Sequence, residues 1–406
     1  MENISKEAIV KRGEAVLMNT YKRDEKVLVS GKQAWVTADD GKDYLDFVSG
    51  IATNVLGHAD EGLVEAITQQ AKQLIHTSNL YWTLPGIELA EALVEVSGLA
   101  KVFFANSGTE ANEGAIKLAR KWGFEAKGES AIEIITMQQS FHGRTIASLT
   151  ATGQKEMHHG FGPVVPGFNY VPFNDAQALK HALTSNTCAI LLEVIQGEGG
   201  INLMSDAFIE TVNQIQKEAN VLILIDEIQT GMGRTGSMFA FQQTSLQPDI
   251  ITLAKGLGGG VPIGAVLATE ATAKHFGLSA HGSTFGGNPL ATAAGLYIVK
   301  AIKERDLLAN VQQQSRYLVE KLTSLQQSFP VIKEIRGKGL LIGIELDVPV
   351  TEVIRLAYEQ GLLVTSSKHN VLRILPPLNV TKREMDYFLT IFKSVLEKLS
   401  EKARQF

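Results

Sequence analysis

The chain is nearly free of cysteine. Cys188 is the only cysteine among 406 residues, which excludes an intrachain disulfide and any metal site built from several thiolates. A reducing compartment suits such a chain best, because disulfides persist mainly in oxidising compartments. We therefore expect a cytoplasmic protein, and the sequence offers no candidate metal ligands.

Long apolar runs and blocks of like charge are also missing. The most apolar runs, such as residues 221–225, are far shorter than the roughly 20 residues that cross a bilayer. Residues 1–14 mix charged with apolar side chains and lack the apolar stretch of a signal peptide. The net charge is −5 and the pI is near 6.0, with no basic cluster to bind phosphates. We expect neither a nucleic acid nor a membrane as partner.

Short β-branched or aliphatic runs recur through the middle of the chain, at residues 102–104, 132–136, 189–192, 221–225, 250–253 and 263–267. They predict buried strands of a largely parallel sheet, because both faces of each run need apolar cover. Helical patterns lie between them, such as the repeat of Ala111, Ala115 and Ala119. With 45% hydrophobic and 20% charged residues, the chain is predicted to be a globular α/β protein.

The length of 406 residues allows a large domain and a smaller one. Long helical segments follow residue 288, then strand patterns at 331–346 and 371–375, then a helix from Lys382. Short strand patterns among the first fifty residues are expected to pack with that C-terminal part. We predict that residues 1–55 begin the small domain, that residues 56–290 form the large domain, and that residues 291–406 complete the small one.

A strand that ends near residue 106 is followed at once by a helix. Ser107 and Glu110 have the spacing of a capping box, and Gly108 lets a ligand approach the positive end of the helix. Such a turn suits a phosphate. A plain helix cap explains the same residues, so this segment alone leaves the choice open.

Two later strands each deliver one charged side chain at the edge where open α/β sheets bind ligands. Asp226 ends an apolar run, and it could face a protonated ring nitrogen or cap a helix. Lys255 ends another and precedes a glycine-rich turn. A desolvated lysine has a lowered pKa and is a good amine nucleophile, whereas a lysine that reaches solvent has no such role.

Six motifs together resemble the class III aminotransferases of fold type I, and most closely the acetylornithine aminotransferases. They occur in order over nearly the whole chain, at residues 107–112, 141–144, 193–200, 226–231, 255 and 282–289. The resemblance implies a large domain that binds pyridoxal 5'-phosphate on a mostly parallel seven-stranded sheet flanked by helices. It also implies a smaller α/β domain formed from both termini.

The resemblance assigns roles around this cofactor. Lys255 would bind the cofactor covalently and shuttle the substrate proton, while Asp226 would pair with the pyridine nitrogen. Phe141 and Ile228 would cover the two faces of the ring, and Gln229 would reach its hydroxyl group. The phosphate would be bound by residues at the helix start and by one residue lent by a second subunit, which implies a homodimer. These residues are Ser107, Gly108, Thr109 and the partner's Thr284.

The substrate roles fall mainly on two arginines, because a guanidinium grips a carboxylate through two parallel bonds. By resemblance, Arg144 binds the α-carboxylate of the amino donor and Arg373 that of 2-oxoglutarate. Glu198 would pair with Arg373 when that carboxylate is absent. Tyr21 is a further candidate for the substrate side.

The choice of amine follows from Ile51, which stands where ornithine δ-aminotransferases carry a tyrosine that recognises the free α-amine. N-acetylornithine is therefore the expected donor and 2-oxoglutarate the acceptor, a step of arginine biosynthesis. Ornithine, succinylornithine, succinyldiaminopimelate and 4-aminobutyrate remain alternatives. An aminomutase such as glutamate-1-semialdehyde mutase, or a non-enzymatic binding protein, is a more distant one.

Overall fold

The structure is a computed structural model that describes residues 5–24 and 26–404. Its strands include many short pieces at the sheet edges. They are β1 (Leu28–Lys32), β2 (Trp35–Ala38), β3 (Asp43–Asp46), β4 (Lys101–Ala105), β5 (Glu133–Met137), β6 (Phe168–Val171), β7 (Thr187–Leu192), β8 (Ile195–Gln196), β9 (Asn202–Leu203), β10 (Leu222–Asp226), β11 (Ile250–Leu253), β12 (Gly264–Ala268), β13 (Ile332–Lys338), β14 (Leu341–Leu346), β15 (Leu362–Leu363), β16 (Thr365–Ser367) and β17 (Val371–Ile374).

Helices connect and cover these strands. They are α1 (Lys6–Val16), α2 (Ser49–Ala52), α3 (Glu61–Gln73), α4 (Leu84–Ser97), α5 (Gly108–Lys127), α6 (Ile146–Ala151), α7 (Lys155–His158), α8 (Ala176–Ala182), α9 (Asp206–Ala219), α10 (Glu270–Ala273), α11 (Pro289–Glu304), α12 (Leu307–Ser328), α13 (Val350–Glu359) and α14 (Lys382–Arg404). Two short 3-10 helices cover Ala240–Gln243 and Lys255–Leu257.

A seven-stranded sheet in the order β4-β12-β11-β10-β7-β5-β6 forms the centre of the molecule. All its neighbouring pairs are parallel except those made by β12, which runs against β11 and β4. Every residue of β7, β10 and β11 is buried, as expected for strands that are covered on both faces. The predicted α/β class and the mostly parallel sheet are confirmed.

The six runs predicted as strands all lie in this sheet, within a residue or two of their expected ends. The seventh strand, β6, was not located from the sequence. This strand, Phe168–Val171, is short and includes a polar Asn. Three of its four residues are only half-buried at the sheet edge. A short strand without a strong apolar signal is difficult to separate from a loop.

The two ends of the chain meet in a second sheet of order β1-β2-β3-β15, in which β15 pairs with β3 in parallel. A third sheet, β13-β14-β17-β16, comes entirely from the C-terminal part. The pairing of β3 with β15 supports the proposal that residues 1–55 and 291–406 form one small domain. α11, at the proposed boundary, packs against α3 and α4 and so joins the two parts.

Neither a membrane helix nor a metal cluster is found in the described part of the chain. Within residues 5–24 and 26–404, no helix has the length and apolar character needed to span a membrane. The same ranges contain no group of three His, Cys, Asp or Glu side chains arranged to hold a metal ion.

The packing of α5 on the sheet depends on Gly123. A methyl group at this position would come within 2.1 Å of the Ala131 carbonyl oxygen and 2.6 Å of Cys188 Cβ. Gly123→Ala should therefore lower the free energy of unfolding by about 1–3 kcal/mol, because a packed core accommodates an added methyl group poorly.

Chemical denaturation measures this loss, and Gly13 provides the matched control. Gly13 also lies within a helix, but a Cβ there would have no neighbour within 4 Å. Gly13→Ala should leave the unfolding midpoint unchanged or raise it slightly. Equal midpoints for the two variants would contradict the packing described for α5.

Candidate active site

A cavity of about 430 Å³ opens at the carboxyl ends of β7, β10 and β11. This is the edge at which parallel sheets expose both strand ends and helix N-termini to a ligand. Most of the predicted site residues line it, and these are Ser107, Gly108, Thr109, Phe141, Arg144, Glu198, Asp226, Ile228, Gln229 and Lys255.

Asp226 is the last residue of β10 and is only 4% exposed. Its Oδ1 accepts a hydrogen bond from the Ile228 backbone N–H at 3.0 Å. Its Oδ2 accepts one from Asn112 Nδ2 at 2.8 Å and lies 2.8 Å from His142 Nδ1. These partners satisfy a buried carboxylate, which otherwise carries a large desolvation cost. Asp226 therefore faces the cavity from a fixed position.

Lys255 follows β11 and faces the cavity with a half-buried side chain. Burial lowers its pKa below the ordinary lysine value, although the nearby Glu198 acts in the opposite direction. Its backbone is in the left-handed region, with φ of +42°, which non-glycine residues seldom adopt. Such strain occurs mainly at functional sites. The structure thus places, directly after β11, an amine that loses its proton more readily than an ordinary lysine.

Glu193 is a site residue that the sequence reasoning missed. It directly follows β7, beside Asp226 on the neighbouring strand, and is 7% exposed. Its carboxyl oxygens accept long hydrogen bonds from the backbone N–H groups of Phe141 and Gly197. Burial, and then the negative charge of Asp226, raise its pKa. Its position at the end of a buried run, like that of Asp226, was the signal in the sequence.

The start of α5 is the position at which the sequence predicts an anion site. Ser107 Oγ accepts from the Glu110 N–H at 3.2 Å, but the Glu110 carboxylate reaches back to the N–H of Asn106 at 2.7 Å and not to that of Ser107. The capping box is therefore only half formed. The N–H groups of Gly108 and Thr109 belong to the first turn and have no partner within the helix. A Cβ on Gly108 would lie 2.8 Å from Ile228, so glycine permits this close packing.

Arg144 lies at the rim of the cavity, exposed to solvent, with its guanidinium carbon 5.6 Å from the centre of the Phe141 ring. No acidic side chain forms an ion pair with Arg144 in the described ranges. Its backbone N–H donates to Thr109 Oγ1 at 3.2 Å. The guanidinium is thus available to an anionic ligand.

Arg373 lies deeper, on β17, and is 2% exposed. Its Nη1 donates to Glu198 Oε1 at 2.5 Å, to Gln229 Oε1 at 3.2 Å and to the Gly197 carbonyl oxygen at 3.1 Å. Burial alone would raise the pKa of Glu198, but the charges of Arg373 and Lys255 outweigh it and hold the pKa below its usual range. Glu198 therefore neutralises the charge of Arg373 inside the protein.

Three predicted residues are not among those that line the cavity of the single chain: Arg373, which lies behind Glu198 and Gln229, Tyr21 and Thr284. Tyr21 is 71% exposed and lies in the segment that follows α1, where it lines a separate depression together with residues of that helix. Thr284 is exposed beside a separate depression near Asn106 and His281. Their roles stay predictions.

These groups fit pyridoxal phosphate. The unpartnered N–H groups at the start of α5 suit its phosphate. Phe141 and Ile228 line the cavity and are apolar, as the faces of a ring require. Lys255 offers an amine for its aldehyde, and Asp226 offers a carboxylate for its ring nitrogen.

Comparison with known proteins agrees with this geometry. Residues 20–396 match the family described as Aminotransferase class-III. An acetylornithine aminotransferase of Caldanaerobacter subterraneus subsp. tengcongensis is 51% identical over 384 residues, covering 94% of this chain and 98% of the relative. The acetylornithine aminotransferase of Methanocaldococcus jannaschii is 47% identical, covering 95% of this chain and 96% of the relative.

Solved structures share the fold. The ornithine aminotransferase of Toxoplasma gondii superposes with a TM-score of 0.95 at 31% identity, covering 99% of this chain and 97% of its own. The N-acetylornithine aminotransferase of Stenotrophomonas maltophilia gives a TM-score of 0.84 at 35% identity, covering 97% of this chain and 100% of its own.

Glu227, next to Asp226, should make the stability depend on pH. Burial raises its pKa from the ordinary 4.5 to about 7, although Thr230 and the Phe241 N–H donate to its carboxylate. The folded state therefore holds this proton more tightly than the unfolded state. The resulting stabilisation is complete below pH 4.5 and is lost as the pH rises toward about 7.

Glu227→Gln, which cannot ionise, should match the wild type near pH 4.5 and be more stable at pH 8 by up to about 3 kcal/mol. Urea unfolding at several pH values measures the difference. Glu304→Gln, at an exposed position on α11, is the control and should follow the wild-type curve. A constant difference between Glu227→Gln and the wild type at all pH values would contradict the assignment.

Proposed function

The chain belongs to the class III aminotransferases, which are pyridoxal-phosphate-dependent transaminases, and on this premise we propose that its donor is N-acetylornithine. The δ-amino group would pass to 2-oxoglutarate, giving N-acetylglutamate 5-semialdehyde and glutamate in two half-reactions. This is a step of arginine biosynthesis, and we place it in the cytoplasm. The acetylornithine aminotransferases cited above, 51% and 47% identical, support the choice of substrate.

The proposal depends on two arginines with different surroundings: Arg144 lines the same cavity as Lys255, and Arg373 acts electrostatically on Lys255. Arg144 is free at the rim, while Arg373 is paired with Glu198. A donor with one carboxylate needs only Arg144. An acceptor with two carboxylates needs a second cation, which becomes available when Glu198 leaves Arg373. The site can therefore accept substrates of unequal charge in turn.

Bound pyridoxal phosphate supplies an aldehyde that captures amines and a ring that withdraws electrons from the adjacent carbon. The residues of the chain do the rest. Asp226 would hold the ring nitrogen in its protonated form, and Arg144 would bind the α-carboxylate so that the distant amine points inward. Lys255 would hold the cofactor through its aldehyde carbon, and its Nζ would carry the proton from the substrate carbon to that cofactor carbon. Its lowered pKa suits this exchange.

Ornithine is the second candidate, because ornithine aminotransferases are among the structural relatives. Ile51 argues against it. This residue is 45% exposed and lies in a run of left-handed residues, with φ of +60°. An aliphatic side chain cannot accept a hydrogen bond from a free α-ammonium group, whereas an acylated nitrogen carries no charge that needs a partner.

A homodimer is also part of the proposal. Leu80, Tyr81 and Trp82 are 81%, 71% and 91% exposed. Asn79 donates to the carbonyl oxygens of Ser283 and Gly286 and so links this apolar segment to the one that carries Thr284. Exposed apolar patches of this kind mark interfaces. We propose that a second copy covers this patch and that Thr284 completes its site.

The donor preference can be measured by steady-state kinetics. With 2-oxoglutarate present, kcat/KM should be highest for N-acetylornithine, lower for ornithine and lowest for 4-aminobutyrate. Arg144→Gln should raise the KM for N-acetylornithine by about 10–100-fold, because charged hydrogen bonds to the carboxylate are lost. Lys255→Ala should have no turnover. A higher kcat/KM for ornithine, or turnover without 2-oxoglutarate, would contradict the proposal.

The dimer can be tested by sedimentation. Trp82→Asp should convert the protein to monomers and weaken cofactor binding, because a charge in an apolar interface has no partner. Val319→Asp, at a 37% exposed apolar position on α12, should remain dimeric. A dimeric Trp82→Asp variant would exclude this patch as the interface.

A further inference from the structure

The segment that carries Arg144 is held by one face of α5. Thr109, Asn112 and Glu113 are spaced three and four residues apart, so their side chains project from the same side of the helix. Asn112 Nδ2 donates to the His142 carbonyl oxygen at 2.7 Å. Thr109 Oγ1 accepts from the N–H groups of Arg144 and Thr145, each at 3.2 Å.

Glu113 makes the last of these contacts. Its Oε1 accepts from the N–H groups of Ala147 and Ser148 at 3.1 and 3.0 Å, and from the Thr145 hydroxyl. Ala147 and Ser148 are the second and third residues of α6, whose N–H groups an N-cap side chain normally satisfies. Thr145 occupies the N-cap position but makes no such bond. Glu113 therefore caps α6 from another helix.

We propose that Glu113 is a positioning residue that fixes Arg144 for the substrate carboxylate. Arg144 directly precedes the N-cap of α6, so the direction of its side chain depends on how that helix begins. A carboxylate on the helix N-terminus gives charge-assisted hydrogen bonds, which are stronger than neutral ones. The inference rests on the proposed function, because it takes Arg144 as the group that binds the carboxylate.

The neighbouring Asn112 contacts the cofactor end of the site, so a change there can be compared with a change at Glu113. Its amide donates to Asp226 Oδ2 at 2.8 Å, and Thr252 Oγ1 donates to its Oδ1 at 2.8 Å, which fixes the amide orientation. A change at Asn112 should therefore disturb the cofactor end of the site. A change at Glu113 should disturb the substrate end alone.

The test uses the holoenzyme and two readouts: the KM for N-acetylornithine, and the calorimetric affinity for 2-oxoglutarate, which needs no turnover. Glu113→Ala should weaken both by about 10–100-fold, as a small displacement of a gripping group does, with kcat nearly unchanged. Glu113→Gln keeps an oxygen for the two N–H groups and should recover most of the loss. Cofactor affinity should fall in Asn112→Ala and stay unchanged in Glu113→Ala.

A double-mutant cycle decides whether Glu113 acts through Arg144. Adding Glu113→Ala to Arg144→Gln should have no further effect on either readout. A full additional loss in that background, or wild-type values for Glu113→Ala alone, would overturn the proposal. If Glu113→Ala does not fold, Thr145→Val provides the test, with Glu113→Gln as its conservative comparison. Thr145→Val removes the hydroxyl that donates to Glu113 and should also raise the KM for N-acetylornithine.

Failure of the proposed function would look different. A wild-type enzyme that does not use N-acetylornithine contradicts the substrate assignment. The affinity for 2-oxoglutarate would still report whether Glu113 positions Arg144.

Discussion

The hydrogen bonds accepted by Asp226 are the interaction on which the site depends. A carboxylate at the end of a buried strand needs donors, and this one receives them from α5, from the segment after β5 and from the turn that follows it. These same elements carry Gly108, Phe141 and Ile228, which line the cavity. The hydrogen bonds to Asp226 therefore also position the elements that form the walls of the cavity.

The balance of charge in the cavity follows from a similar constraint. Burial raises the pKa of Glu193, and the negative charge of the adjacent buried Asp226 raises it further. Glu198 lies beside Arg373, and its pKa is lowered. The pKa of Lys255 is lowered mainly by burial, and the charges of these four groups act on it as well. Arg144 presents at the rim a charge that has no ion pair among the described residues, which suits a carboxylate that arrives from solvent.

Much of this arrangement could be predicted from the sequence. Apolar runs located six strands of the central sheet, and the strand ends predicted that Asp226 and Lys255 would meet at one edge. Strand β6 was not predicted, because half-buried edge residues such as Asn169 contribute little to an apolar pattern. The assignment of the cofactor needed the resemblance as well, because each motif alone also fits a plain cap or turn.

The side-chain networks could not be predicted, because they join residues that are distant in sequence. Glu110 was expected to complete a capping box, yet it reaches Asn106. The Thr109 side chain, expected at the phosphate, accepts hydrogen bonds from the segment that carries Arg144. Glu113 caps a helix more than thirty residues away. Such contacts depend on tertiary packing, which periodicity and propensity do not encode.

The most direct test of the account is to add pyridoxal phosphate, reduce the complex with borohydride and locate the modified residue by peptide mass spectrometry. The cofactor mass should lie on the peptide containing Lys255, and Lys255→Ala should take up none covalently. Modification of a different lysine, or of none, would contradict the central claim that the cavity at the ends of β7, β10 and β11 is built around this cofactor.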